Sequence, residues 1–147
     1  MKRFGAPRKN DQIYKDRIGV YAILERDGHF LLTEQLDPGP EIQLPGGGVD
    51  PGESPLQALH REVMEETGWR IHDPLRLGAY QRFAYMPEYS VWARKICIIY
   101  VAHAVRKMGP PIEPQHRVIW SDATTAPFLL DNKGDAAFLI DWLKRIR

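Results

Sequence analysis

Apolar positions come in short runs separated by turn residues. Residues 18–24 form a strand-like run, closed by the turn signal Arg26-Asp27-Gly28, and residues 29–35 read as the returning strand of a hairpin. Asp37-Pro38-Gly39-Pro40 then marks a loop, and Glu41-Ile42-Gln43-Leu44 a short extended piece. Pro45-Gly46-Gly47-Gly48 and Asp50-Pro51-Gly52 are read as two further breaks in the chain. Ser54 and Pro55 open a helix, a capping hydroxyl followed by a residue preorganised for the first turn. That helix is predicted to run to about Thr67 and to stop at Gly68, a residue suited to a left-handed cap. Residues 75–85 and 91–105 read as long strands and 117–120 as a short one. Phe138, Leu139, Trp142, Leu143 and Ile146 recur at helical spacing, so a C-terminal helix should pack on the sheet. This mixture of elements predicts an α/β or α+β sandwich.

Composition narrows the class. A chain of 147 residues can bury a core without disulfides or structural metal and is read as one domain, with residues 1–15 as a frayed or loosely docked tail. The hydrophobic fraction of 44% and charged fraction of 27% are those of a soluble globular protein. A net charge of +1 provides no long-range field toward nucleic acid or a membrane, so an anionic ligand must be held by local groups. No run approaches the ~20 apolar residues of a membrane span. The basic N-terminus has no apolar run behind it, so it is not read as a secretory signal, and the expected location is cytoplasmic. The lone Cys97, inside Ile96-Cys97-Ile98-Ile99, reads as a small buried hydrophobe.

The predicted helix from Ser54 to Thr67 carries the chemistry. Leu56, Leu59 and Val63 make an apolar stripe, and Glu62, Glu65 and Glu66 an adjoining arc of carboxylates. Glu62 and Glu66 are like-charged i,i+4 neighbours, which costs roughly 0.2–0.5 kcal/mol. Glu65 and Glu66 also occupy the last turn, where the helix dipole disfavours negative charge. No lysine occurs between Lys15 and Lys95, and only Arg61 is placed to compensate. Two readings stay open on charges alone: a solvated acidic face, or a site for a cation. Oxygen-rich, nitrogen-poor ligation favours Mg²⁺ or Mn²⁺ over zinc and suits chemistry on phosphates.

The full pattern resembles the box of the Nudix hydrolase superfamily. It stands here as Gly47, five residues, Glu53, seven residues, Arg61-Glu62-Val63, Met64, Glu65-Glu66, Thr67 and Gly68-Trp69. Trp69 departs from the usual aliphatic closing residue but still supplies bulk. The resemblance implies a Nudix-type α/β/α sandwich with a mixed β-sheet, and metal-dependent hydrolysis of a diphosphate bond in a nucleotide-type substrate. It implies Mg²⁺ or Mn²⁺ held by Glu62, Glu66 and Glu65, with Gly46 beside them, and Glu53 facing the same patch. Arg61 is expected to pin one of these carboxylates through a forked hydrogen bond. The resemblance implies Glu62 or Glu65 as the general base, or an attacking hydroxide generated by the metals themselves. Many members add an acid from a late loop; Glu113 is the candidate and His116 the alternative, with an ordinary exposed loop residue as the competing reading of either. Homodimers are common in the family.

Substrate identity is less legible. Coenzyme A-type and NADH-type signatures are absent around the box. Tyr85 stands 16 residues beyond Trp69, within the spacing seen for members that act on dinucleoside polyphosphates. The segment from Tyr80 to Lys95 interleaves aromatic and basic residues, and it supplies Arg82 and Tyr85, with Glu113, as expected substrate contacts. Its competing reading is strand ends, with Phe83 and Trp92 in the core and Arg82 and Arg94 in solvent. Neither long nucleic acid nor a membrane is an expected partner. A non-catalytic Nudix module that senses a nucleotide or nucleotide-sugar is the alternative function, disfavoured because Glu53, Glu62, Glu65 and Glu66 are all present. An isomerase-type relative needs a catalytic cysteine, which Cys97 does not resemble. The glycines fit neither a Walker-type loop nor the dinucleotide fingerprint, whose third glycine position is Pro51.

Overall fold

In the computed structural model, which describes residues 1–36 and 39–146, the apolar run 18–24 is the centre of strand β2 (Lys15–Arg26). Asp37 and Pro38 of the turn-rich loop lie outside the described residues. Alternate side chains of β2 go to opposite faces and both faces are covered: Val20, Ala22 and Leu24 enter one core, Ile23 the other. β1 (Lys2–Arg3), β3 (His29–Gln35), β4 (Glu41–Gln43), β5 (Gly46–Gly48), β6 (Trp69–Met86), β7 (Val91–Lys107) and β8 (His116–Asp122) complete the sheet. Its order is β1-β6-β7-β2-β3-β4, with β5 beside β2 and β8 beside β3. The sheet is mixed, since β2 runs parallel to β7 from Lys15↔Ala93 to Glu25↔His103, whereas β6 and β7 are antiparallel.

Helix α1 (Pro55–Thr67) covers one face and α3 (Lys133–Arg145) the other, with the short α2 (Ala126–Leu129) beside α3. Ala58, Leu59 and Val63 of α1 pack on Val20, Leu31 and Ile98; Leu139 and Leu143 of α3 pack with Phe30, Leu32 and Ile99. Full burial of each leucine or valine stabilises by ~1.5–3 kcal/mol. The α/β/α sandwich expected from the sequence is thus the one observed. Among the described residues no helix is long and apolar enough to cross a membrane.

Local chemistry sets the ends of α1. The Ser54 hydroxyl accepts from the Gln57 N–H at 3.1 Å while the Gln57 side chain accepts from the Ser54 N–H at 2.9 Å, a reciprocal capping box. At the far end Gly68 adopts φ 77°, and its N–H donates to the Met64 carbonyl. A Cβ at Gly68 would collide with the Gly109 carbonyl, so the cap also admits the loop that follows β7.

Three local expectations change. Gly46–Gly48, read as a break, instead pair with β2 as β5, because the absence of side chains lets backbone lie against backbone. Leu56, placed on the apolar stripe, is 45% exposed, and the buried arc of α1 rotates to take in Ala58 and Glu66. β6 begins at Trp69 rather than residue 75: Asp73 and Pro74 lie at an irregularity between His72 and Leu75, and the strand continues through it. Within the N-terminal segment, expected as a frayed or loosely docked tail, Lys2–Arg3 pair with β6 and Phe4 is set edge-on to Tyr80 at 5.4 Å.

Candidate active site

Arg61 is the hub of the acidic patch. Its Nε and Nη2 donate to the two oxygens of Glu53 at 2.7 and 2.8 Å, the fork expected from the sequence. Its Nη1 reaches Glu62 at 3.0 Å and Glu65 at 3.3 Å, and Nη2 also donates to the Gly48 carbonyl at 3.0 Å. Glu53 accepts in addition from the Asp50 N–H at 3.0 Å. The Arg61 hydrogen bonds, helped by that backbone donor, hold the Glu53 carboxyl well below the usual range, at about 2.

The other glutamates sit deeper. Glu66, 4% exposed, accepts from the Gly46 N–H at 3.0 Å. Burial pushes its carboxyl well above the ordinary range; the Gly46 N–H opposes this, and Glu62, Glu113 and Glu65 add repulsion. Burial likewise raises Glu62 against the pull of Arg61. Gly47 is needed for space, since a Cβ there would lie 2.5 Å from the Glu62 carboxylate.

The loop between β7 and β8 brings in two more groups. The N–H of Ile112 donates to the Glu65 carbonyl at 2.8 Å and that of Met108 to the Gly68 carbonyl at 2.7 Å, which satisfies carbonyls at the C-terminal end of α1. This pinning sets Glu113 and His116 over the acids. His116, with a side chain 5% exposed, has Nε2 3.1 Å from Glu113 and Nδ1 3.4 Å from Glu66. That Nδ1 is buried with no hydrogen-bond partner. Desolvation pushes the imidazole below its ordinary value, with Glu113 pulling the other way.

Two sets of ligand atoms therefore converge. Glu62, Glu65 and Glu113 present carboxylate oxygens within 4.8 Å of one another, and Glu66, Glu113 and His116 do the same with two carboxylates and an imidazole. Arg61 is the one cationic side chain paired to the box glutamates among the described residues. Raised carboxyls, an orphaned imidazole nitrogen and a hard-oxygen donor set all fit a divalent cation of the Mg²⁺ or Mn²⁺ type. One nitrogen among several oxygens matches the oxygen-rich, nitrogen-poor set expected and suits Mn²⁺ as well. Glu113 and His116, posed as alternatives by the sequence, both arrive.

A cleft of about 590 Å³ opens beside these groups, lined by Glu66, Glu113 and His116 and by Arg17, Tyr89 and Lys95. A hollow of about 690 Å³ near Leu56, His60 and Pro74 contains none of the carboxylates. Tyr85 does not line the cleft: it packs on Trp92 with ring centroids 5.3 Å apart, and Tyr89 stands at the cleft instead. Arg82 is partly buried and its Nε has no partner. Lys95 lay in the basic-aromatic segment but was not singled out, because strand register alone brings it to the cleft floor. Cys97 is 2% exposed and burial pushes its thiol up, as suits a packed hydrophobe.

Comparison with known proteins agrees with this geometry. The NUDIX domain model matches residues 14–142. The chain is 36% identical over 81 residues to the nucleoside triphosphatase NudI of Salmonella agona, covering 45% of this chain and 57% of that protein. It is 50% identical over 50 residues to an RNA pyrophosphohydrolase of Mesorhizobium japonicum, covering 34% of this chain and 26% of that protein. The matched stretches thus span about half or less of these relatives' lengths. Among solved structures, a NUDIX hydrolase from Nitrosomonas europaea superposes with TM-score 0.73 at 22% identity, covering 90% of this chain and 92% of that one, a likeness of fold.

Proposed function

This chain belongs to the Nudix hydrolase superfamily, and on that premise we propose that it hydrolyses a diphosphate bond in a nucleotide-type substrate, using Mg²⁺ or Mn²⁺. The observation that carries this is the convergence of Glu62, Glu65, Glu66, Glu113 and His116 beside the cleft, with Arg61 the one cationic side chain paired to the box glutamates among the described residues. The relatives named as a nucleoside triphosphatase and an RNA pyrophosphohydrolase support a nucleotide-type substrate.

Glu62, Glu65, Glu66 and Glu113 are the residues that would hold the metal, with the Gly46 backbone and His116 beside them. When bound, the metal supplies charge neutralisation at the phosphate oxygens and acidifies water. Arg61 keeps Glu53 ionised and orients Glu62 and Glu65 at fixed angles. We assign Glu62 as the general base: Arg61 engages Oε1, which leaves Oε2, and burial raises its affinity for a proton. Water adds to one phosphorus, its proton passes to Glu62, and the bond from that phosphorus to the bridging oxygen breaks to release a phosphate ester. Positioning and electrostatics provide most of the acceleration.

The test is chromatography of nucleoside triphosphates, nucleotide sugars, ADP-ribose and dinucleoside polyphosphates after incubation with Mg²⁺ or Mn²⁺. Cleavage that needs the metal and is lost in Glu62→Gln supports the assignment. Ligand-induced thermal stabilisation without cleavage would favour a sensor module.

A further inference from the structure

On the sheet face that carries Cys97 and Tyr80, three cations stand side by side on adjacent strands. Arg17 of β2 is in register with Lys95 of β7, and Lys95 with Arg82 of β6. Side chains at paired positions project to the same face, so these three are cross-strand neighbours of like charge, an arrangement that destabilises a sheet. No carboxylate forms an ion pair with any of them among the described residues; Arg94, one position away, is paired with Asp16 at 3.1 Å. Glu88 and Glu41 act on Lys95 only through space. Asp135, the buried acid that faces Arg82, is already engaged by the Tyr80 hydroxyl at 2.7 Å and the Leu44 N–H at 3.1 Å.

Two details show that the row is not simply solvated. The Arg82 Nε is buried with no partner, an orphan donor that is costly to leave unsatisfied. Burial and, after it, the Arg82 charge push the Lys95 ammonium below its usual value, a penalty that an anion would reverse. Arg17 is turned over the Tyr89 ring at 4.4 Å, and both line the same cleft as Lys95 and Glu66. β5, whose Gly46 binds Glu66, lies along one edge of β2, and β7 with Lys95 along the other. The cleft therefore has an acidic side and a basic side, separated by β2.

We propose that Arg17, Lys95 and Arg82 form an anion subsite that takes a phosphate or carboxylate group of the substrate separate from the diphosphate being cleaved. The substrate is then a nucleotide-type diphosphate bearing a second, distinct anionic group. Uncharged sugar or base alone leaves the cation row uncompensated. The inference rests on the hydrolase reading for its placement of the scissile bond, but not for the existence of the subsite.

The experiment is binding of inorganic phosphate, and separately of acetate, to the whole protein in EDTA, followed by isothermal titration. Without metal the glutamates repel both anions, so binding reports the cation row. Phosphate should bind, and Lys95→Met and Arg17→Met should each weaken it about tenfold or more, with unchanged circular dichroism. Acetate binding that depends on the same residues, with phosphate excluded, would identify a carboxylate as the group recognised. No binding of either anion to the unsubstituted protein, or binding indifferent to both substitutions, overturns the proposal. Arg17 is exposed, so its variant keeps the test decisive if Lys95→Met fails to fold. Metal-dependent cleavage is scored on the same preparations, so failure of the hydrolase reading and failure of the subsite are seen independently.

Discussion

Arg61 and Glu53 meet through two parallel hydrogen bonds, Nε to Oε2 at 2.7 Å and Nη2 to Oε1 at 2.8 Å. The remaining donor, Nη1, divides between Glu62 and Glu65. One guanidinium thus ties the loop before α1 to the helix and aims two of its acids. Lysine has a point charge and cannot reproduce the fork. Arg61→Lys and Arg61→Ala should both lower turnover about tenfold or more, the scale seen when groups that orient metal ligands are lost. The Glu53 carboxyl, followed by NMR, should rise from about 2 toward 4.5 in both variants. Full activity in Arg61→Lys would contradict this role.

Gly47 offers a separation of function from folding. A Cβ at this position meets the end of the Glu62 side chain at 2.5 Å, and that carboxylate can swing aside at little cost to the core. Gly47→Ala should leave the melting temperature within a few degrees while weakening Mn²⁺ binding, read by electron paramagnetic resonance, about tenfold or more. A variant that unfolds, or one that binds Mn²⁺ normally, would show that Gly47 is there for another reason.

The buried Asp135 pins α3 to the sheet. It accepts from the Tyr80 hydroxyl and the Leu44 N–H, and burial raises its carboxyl to about 6. Asp135→Ala orphans both donors and should cost roughly 2–4 kcal/mol in urea unfolding. Asp135→Asn keeps an acceptor without the buried charge and should equal or exceed the unsubstituted protein at pH 8. The sign follows from linkage: the raised acid contributes stability in full below 3.8, and this is lost as pH rises through about 6.

The same reasoning applies to the acidic cluster. Glu66 and Glu62 have folded-state values above the ordinary 4.5, so the folded chain holds protons that the unfolded chain has released. Their stabilisation is present below 4.5 and is lost as pH rises through the raised values. In EDTA the melting temperature should therefore fall as pH rises above 4.5. Saturating Mg²⁺ or Mn²⁺ should raise it more at the higher of two pH values above 4.5 than at the lower. Glu66→Gln should flatten both trends. A cation shift that is equal at both pH values and unchanged in Glu66→Gln would remove Glu66 from the metal set.

Much of the fold was legible in the sequence because local rules and tertiary packing agree there. The apolar runs of β2 and β3, the Ser54–Pro55 opening and the Gly68 stop of α1 all follow from period and capping. The glycine run was not legible: Gly46–Gly48 has turn composition, and only pairing with residues 19–21 makes it a strand. The glutamates of α1 were readable from helical spacing, and Arg61 from the lack of any other compensating charge. Glu113 and His116 depend on backbone bonds from Met108 and Ile112 to the end of α1, which leave no trace in side-chain pattern. Lys95 depends on the register of two strand pairs, and register is a property of three segments rather than one. Tyr85, expected at the substrate from spacing, belongs to the hairpin arm and does not line the cleft, while the adjoining turn, Pro87–Tyr89, carries Tyr89 to it.

The most direct test of the central claim is ³¹P NMR of a cleaved nucleotide substrate in the presence and absence of Mg²⁺, with Glu62→Gln and Glu66→Gln alongside. The expected result is loss of the diphosphate resonances and appearance of phosphate monoesters with metal only, and at least a hundredfold slower conversion in both variants while their circular dichroism is unchanged. Conversion that proceeds in EDTA, or that survives intact in both folded variants, would contradict a metal-dependent hydrolase built on the acids of α1.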